Sequence, residues 1–388
     1  MKRRRRAVVL GTGAVGSLVA EDLAMEPGID VTAVDADERA ADRLRGVAAG
    51  VRFEHADLSD PVVAVAAAKG AAVVVNALPG ALGFGTLRAL VESGRNVVDV
   101  SFMPEDPFGV ERSARERGVV AIVDCGVAPG LSNLLVGRAA AEFDPLESVR
   151  ILVGGLPEVR RWPYEYCAVF SPADVIEEYT RPARLVEGGR VVAREALSEV
   201  EPVEFPGVGT LEAFNTDGLR TLLRTIQAPR MVEKTLRYPG HADRMRMLRD
   251  TGFFSVEPVE IAGMRIRPID LTARLLFRKW RLPEGEGDVT VMRVEVEGGR
   301  GGRAERHRWE MVDRWDAAAG RTSMARTTGY PAAIAARLVL RGEIRERGVL
   351  PPEMLGRDER IFRFFIDELA LRSIDLHLDA LPVPAAAG

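Results

Sequence analysis

Lysine is nearly missing from this chain, with only Lys2, Lys69, Lys234 and Lys279 among 53 basic residues. Arginine supplies the rest, and acids outnumber bases 57 to 53, for a net charge of −4. That balance gives no overall attraction to nucleic acid or to an anionic membrane, so neither is an expected partner. Cysteine is scarcer still. Cys125 and Cys167 show neither metal-ligand spacing nor a disulfide framework, and no metal centre is expected. No apolar run approaches the roughly 18 residues that a membrane span needs. Lys2 to Arg6 followed by AVVLGTGAVGSLVA has the outline of a secretory leader. Its glycines fit a nucleotide fingerprint, however, and cleavage there would remove a strand. The expected location is the cytoplasm.

What is present is a chain of 388 residues, 47% apolar and 28% charged, long enough for two domains with buried cores. The stretch from Arg6 to Asp37, RAVVLGTGAVGSLVAEDLAMEPGIDVTAVDAD, organises the first half. Ala7 to Leu10 reads as a buried parallel strand, and Val15, Leu18, Val19 and Leu23 share one face of the helix that follows. Between them, Gly11 permits the tight turn, Gly13 lets backbone approach a pyrophosphate, and Gly16 lets helix and strand pack closely. The free N–H groups and positive dipole end of the helix then face the phosphates. Val31 to Val34 forms a second strand ending on Asp35, where a carboxylate accepts both ribose hydroxyls of NAD and repels the extra phosphate of NADP. NAD is therefore the expected cofactor.

Strand and helix continue to alternate. Val51–Phe53, Ala72–Val75, Val97–Val100 and Val119–Val123 read as four more strands, giving six in a doubly wound sheet with a helix over Pro107–Arg117. Ligands in such sheets bind beyond the carboxyl ends of the strands. That rule gathers Asn76, Asp99, Ser101, Asp124 and Cys125 towards one cleft. Cofactor contacts are expected from Gly11, Gly13, Ala14, Val15, Gly16, Asp35, Asp57, Leu58, Asn76, Leu78 and Ser101. Beyond Pro145 the pattern turns to strands: Val149–Val153, the alternating Trp162–Tyr166, Asp288–Glu297, and one containing His307, Trp309 and Met311. Helices resume from Tyr330 and over Glu359 to about Ser373. The fold class is α/β, a Rossmann sheet with a second α+β domain carrying a mixed or antiparallel sheet.

Four blocks carry a resemblance: VDCGVAPGLSN (123–133), FSPADVIEEY (170–179), NTDGLR (215–220) with KTLRYPGH (234–241), and TTGYPAAIA (327–335). In order and spacing they resemble the saccharopine dehydrogenase family across nearly the whole chain. GVAPGLSN and FSPADVIEEYTRPAR are most similar to the branch that oxidises the side-chain amine of lysine. Ala128 and Asp35 both depart from the branch that works on saccharopine with NADP, where an acidic residue stands at the position of Ala128. The resemblance implies a dinucleotide-binding domain of residues 1–127 and about 325–388, and a substrate and oligomerisation domain of residues 128–324. It also implies an active site between domains and a homodimer or higher homo-oligomer.

The implied reaction is NAD-dependent oxidative deamination of the ε-amine of lysine to the 6-semialdehyde, with release of ammonia. Action on a secondary amine such as saccharopine is one alternative, and a protein that senses NAD(H) without turnover is another. The amine must lose a proton before hydride can leave, and Asp99, Asp124 and His241 are the candidate bases, in that order of expected nearness to the strand tips. For the far end of the amino-acid substrate, Arg237 lies in a block that the family uses to line its cleft, and its guanidinium fork suits an α-carboxylate. Tyr238, Asn215 and Ser171 complete the expected polar end.

Overall fold

The computed structural model describes residues 4–45, 50–168 and 172–382. The chain divides into two compact units. Unit 1 gathers residues 1–141, 220–225 and 325–374, and unit 2 gathers 142–219, 226–324 and 375–388.

In unit 1 the apolar runs become parallel strands because both faces of the sheet are covered by helices. They are β1 (Arg5–Leu10), β2 (Ile29–Asp35), β3 (Val51–His55), β4 (Val73–Asn76), β5 (Val97–Asp99) and β6 (Val120–Ile122). A seventh strand, β17 (Gly348–Val349), is not expected from the sequence, since two residues are too few to show a period. It pairs in parallel with β6, and Leu350 donates its N–H to the Ala121 carbonyl at 2.8 Å. The sheet order is β17-β6-β5-β4-β1-β2-β3, with the crossover between β1 and β4 that opens a crevice at the strand tips. The crossovers are α1 (Ala14–Ala24), α2 (Arg39–Arg45), α3 (Pro61–Ala67), α4 (Gly80–Glu92) and α5 (Glu111–Arg117), the last preceded by a 3-10 turn over Pro107–Val110. Val8, Leu10, Val74, Leu87, Leu90 and Val97 belong to the core they enclose.

The rest of unit 1 comes from α6 (Leu131–Ala140), α8 (Leu222–Thr225), most of α11 (Ser323–Arg341), α12 (Pro352–Gly356) and α13 (Glu359–Ala370). Helices α6 and α12 touch backbone to backbone: a Cβ on Gly137 would stand 2.0 Å from the Glu353 carbonyl oxygen, and one on Gly356 2.1 Å from that of Leu134. At the far end of the chain, Arg337 and Arg372 both donate to the buried Asp22 carboxylate on α1, the latter at 2.8 Å.

Unit 2 is built on a nine-stranded mixed sheet. Its main path runs β10 (Glu201–Phe205), β11 (Gly209–Asn215), β12 (Arg230–Arg237), β7 (Leu146–Pro157), β15 (Asp288–Arg300), β16 (Arg303–Arg314) and β18 (His377–Pro382), with β8 (Ala183–Glu187) and β9 (Arg190–Arg194) joined off β12. Only β12 and β7 pair in parallel; the other neighbours are antiparallel. Helices α7 (Pro172–Thr180), α9 (His241–Thr251) and α10 (Pro268–Trp280) share a core in which Tyr179, Phe214, Met245 and Trp280 are fully buried. A hairpin of β13 (Val259–Ile261) and β14 (Met264–Ile266) pairs only with itself.

The strand expected over Trp162–Tyr166 is a turn instead. Pro163 has no N–H to give a ladder, and Glu165 closes the turn by donating to the Arg161 carbonyl at 2.7 Å. No helix among the described residues is long and apolar enough to cross a membrane.

Candidate active site

The glycine loop of unit 1 is shaped by contacts that no side chain would fit. Gly11 has a φ of +83°, and a Cβ there would stand 2.7 Å from the Ala77 carbonyl oxygen. A Cβ on Gly16 would lie 1.9 Å from the Gly11 oxygen, so loop, helix and β4 close on one another only as glycine. Gly13 is the opposite case: a Cβ there would meet nothing within 4 Å. It caps α1 with no side-chain hydrogen bond, so the helix begins beside open space. Such a space suits a pyrophosphate.

Asp35 ends β2 beside this loop. Its Oδ2 accepts from the Thr12 backbone N–H at 2.6 Å and the Thr12 hydroxyl at 3.0 Å, and its Oδ1 from the Asp37 N–H at 2.8 Å. The carboxylate thus ties the glycine loop to the tip of the neighbouring strand. Its cationic neighbour Arg39 is engaged by Asp37 at 3.0 Å. Further along the edge, exposed Asp57 accepts the Ser59 N–H at 3.0 Å, which holds its carboxyl below the usual range, while Leu58 is buried beneath. Leu78 packs into the core under the loop.

At the tips of β4 and β5 lies a fully buried polar triad. Asn76 Nδ2 donates to Asp99 Oδ2 at 2.5 Å, and Ser101 donates to Asp99 Oδ1 through its hydroxyl at 2.6 Å and its N–H at 2.9 Å. Burial outweighs these donors, and with Asp124 nearby it pushes the Asp99 carboxyl up to about 7. Asn76 Oδ1 is buried and has no partner among the described residues. An acceptor left open at a strand tip, close to the glycine loop, fits a donor on a bound dinucleotide.

Asp124 follows β6, and its carboxylate is taken by Arg220. The guanidinium donates to Asp124 at 3.0 Å from Nη2 and 3.3 Å from Nε, and also to the Met103 carbonyl. Both side chains are almost wholly buried. Cys125 sits next to them, with its thiol raised by burial and by the two acids. Sequence reasoning missed Arg220; the signal was its place at the end of NTDGLR.

The other candidates belong to unit 2. His241 is buried, with Nε2 at 2.9 Å from the Tyr179 hydroxyl and Nδ1 at 3.0 Å from the Tyr164 carbonyl oxygen. Burial and the Arg237 charge push it down to about 3, so the ring is neutral at physiological pH. Arg237 pairs with Glu178 at 2.6 Å, donates to the Leu236 carbonyl at 2.9 Å, and stacks over the Tyr166 ring at 4.6 Å. The Tyr238 hydroxyl donates to the Pro157 carbonyl at 3.0 Å. Asn215 donates to Ser198 at 3.1 Å and Glu199 at 3.0 Å. Ser171 lies outside the described residues. The structure therefore brings Asp99 and Asp124 together in unit 1, and holds His241, Arg237, Tyr238 and Asn215 in unit 2. No group of three or more potential metal ligands occurs among the described residues.

A doubly wound sheet whose glycine loop, acidic strand tip and open acceptor all meet one crevice defines a dinucleotide-binding protein. The particular kind follows from comparison with known proteins. The saccharopine dehydrogenase NADP binding domain matches residues 7–122, and the saccharopine dehydrogenase C-terminal domain matches residues 126–374. The chain belongs to the saccharopine dehydrogenase family, whose nucleotide domain takes a nicotinamide dinucleotide.

Among similar proteins, the carboxyaminopropylagmatine dehydrogenase of Synechocystis is 21% identical, over 91% of this chain and 93% of its own. The saccharopine dehydrogenase [NADP(+), L-glutamate-forming] of Pyricularia oryzae is 22% identical, over 90% of this chain and 93% of its own. The mitochondrial alpha-aminoadipic semialdehyde synthase of Bos taurus is 24% identical over 91% of this chain, which spans only 46% of that larger protein. In structure, the apo saccharopine dehydrogenase (L-Glu forming) of Saccharomyces cerevisiae superposes with a TM-score of 0.79 at 19% identity, covering 97% of this chain and all of that one, a likeness of fold.

Proposed function

We propose that this chain is an NAD-dependent amine dehydrogenase that converts L-lysine to its 6-semialdehyde with release of ammonia. The observation that carries the reading is Asp99, a buried carboxyl at the strand tips, held by two neutral donors and titrating near neutrality. A base of that kind is matched to taking a proton from an amine at working pH.

The cofactor would be held by the α1 N-terminus and the open face of Gly13 at its phosphates, by Asp35 at the adenosine ribose, and by Asn76 and Ser101 near the reacting end. When bound, the nicotinamide accepts the hydride. Every other requirement falls on the protein. The lysine ammonium has a solution pKa of about 10.4 and must be deprotonated, which Asp99 serves in its ionised form. Arg220 pairs with Asp124, so that of the two acids at the tips of β5 and β6 only Asp99 lacks a cationic partner when it ionises. Loss of hydride from Cε leaves an imine, and water adds to it, so that lysine, NAD⁺ and water give semialdehyde, NADH and ammonium with one proton released. The preference for NAD rests on Asp35, although the matching domain family is described as NADP binding.

The names of the relatives favour a second reading, in which the chain acts on a secondary amine such as saccharopine. One experiment separates the two. Lysine deuterated at C6 is incubated with protein and NAD, and the expected outcome is deuterated NADH formed in step with ammonia. No NADH from lysine, but turnover of saccharopine with release of glutamate, would overturn the lysine reading.

A further inference from the structure

Thr12 stands between Gly11 and Gly13 in the glycine loop and is wholly buried. Both of its donors go to one atom: the backbone N–H, at 2.6 Å, and the hydroxyl, at 3.0 Å, reach Asp35 Oδ2. Any residue but proline can make the first bond, whereas the second needs a short side-chain donor such as a hydroxyl. On its other oxygen, Asp35 accepts the Asp37 N–H at 2.8 Å, an Asx turn that closes the end of β2. Three donors from two segments therefore hold a carboxylate that is itself half-buried. The loop has its own backbone tie to β2, from the Gly11 N–H to the Val34 carbonyl at 2.9 Å, so the hydroxyl is not needed to fasten it.

The residues after Asp35 add charge of the same sign. Asp37 and Glu38 bring the acids to three within four residues, and the base that follows, Arg39, holds its N–H and its Nε at 3.0 Å from Asp37 Oδ1. A phosphate arriving at this strand tip meets acids and a cation already engaged, and Asp35 would have to turn aside to admit it. An aspartate with no partners has other staggered rotamers open to it. Here a change of rotamer breaks three hydrogen bonds to an ionised group, the stronger kind, and strips the buried Thr12 hydroxyl of its acceptor.

We propose that Thr12 is the positioning residue for cofactor choice, its hydroxyl locking Asp35 in the orientation that accepts a ribose hydroxyl and opposes a 2′-phosphate. This role rests on Asp35 as the acceptor of the adenosine ribose, and it supplies what charge alone lacks. A fixed carboxylate is pre-organised for NAD, and it cannot swing away to tolerate NADP. A hydroxyl that merely stiffened the glycine loop would act through the phosphates common to both dinucleotides, and its loss would weaken both alike. The ratio of the two affinities therefore separates positioning from a structural role.

The test is the binding of NADH and of NADPH to the full chain, each titrated by nicotinamide fluorescence, with circular dichroism to establish folding. Thr12→Val keeps the volume and removes the hydroxyl, and the ratio of NADH to NADPH affinity is expected to fall about fivefold, part of the worth of a hydrogen bond to a charged group. Thr12→Ala, which sets no methyl against the carboxylate, is expected to lower the ratio as far. Thr12→Ser restores the donor and should bring the ratio to within about twofold of the wild type. In an Asp35→Ser background, Thr12→Val should change the ratio no further, because no carboxylate is left to hold. If Asp35→Ser lowers the ratio while folded Thr12→Val and Thr12→Ala keep the wild-type value, the role of Thr12 is overturned and that of Asp35 stands. Equal weakening of both dinucleotides in the threonine variants would overturn it as well. A ratio untouched by Asp35→Ser would remove both residues from cofactor choice.

Discussion

Single residues decide what the strand tips of unit 1 do. In the proposed reaction Asp99 carries the proton step, and replacing it with asparagine keeps the shape and one acceptor oxygen, for the Ser101 donors, while removing the base. The kcat/KM of Asp99→Asn is expected to fall by roughly 100-fold. Because the base works ionised, the wild-type rate rises with pH through about 7, and that limb should vanish in the variant. Stability shows the opposite sign. The folded state holds this proton up to about 7 and the unfolded chain only to about 4, so between those values the folded state binds more protons and loses stability as pH rises. Denaturant titrations at several pH values should find that loss in the wild type and a flatter curve in the asparagine variant. The choice of cofactor is assigned, on the same proposal, to Asp35. Asp35→Ser removes the charge that opposes a 2′-phosphate, and the ratio of NAD to NADP utilisation should drop by at least about tenfold, or 1.4 kcal/mol; a wild type indifferent to the two would remove Asp35 from that role. The glycine loop and the acidic strand tip are legible in the sequence because their spacing is set by the chemistry of a dinucleotide. Arg220 is not, since nothing local links it to Asp124, 96 residues earlier.

Elements are legible where their faces sort cleanly into apolar and polar. The parallel strands of unit 1 are nearly continuous apolar runs, buried on both sides, and their ends can be read to within a residue or two. Strand β12 is hidden for the reverse reason: RMVEKTLR buries Glu233, Lys234, Thr235 and Arg237, so its pattern contradicts its position. Glu233 is held by Thr216 at 2.6 Å and pushed by burial up to about 8, and Arg237 is neutralised by Glu178, so side-chain partners far along the chain make that burial tolerable. The crossing of α6 and α12 depends instead on the absence of side chains. A methyl at Gly137 meets the Glu353 carbonyl, a backbone atom with no rotamer to yield. Gly137→Ala is therefore expected to destabilise unit 1 by about 3 kcal/mol, at the upper end of overpacking penalties. Thermal melts would check it, and an unchanged midpoint would mean that the two helices separate more easily than their contact implies.

At the scale of the whole chain, unit 1 is assembled from three stretches of sequence that unit 2 interrupts twice. The late stretch is not an appendage. It supplies β17 to the sheet edge, the helix that locks against α6, and the two arginines that close on Asp22. Residues 1–141 expressed alone should accordingly fail to give a cooperative melt or to bind NAD, although they hold the glycine loop, Asp35, Asn76 and Asp99; a soluble, cooperatively folding fragment would refute this. The two-residue strand β17 has a consequence for the order of events on the ribosome. The nucleotide fold begins with β1, yet its last edge, at Gly348–Val349, stays open until residues 226–324 of unit 2 have also been made. At the roughly 5–20 residues per second of translation, that interval lasts some tens of seconds. Throughout it, the edge of β6 that will receive β17 stays unpaired, an exposed row of backbone donors and acceptors open to a neighbouring nascent chain.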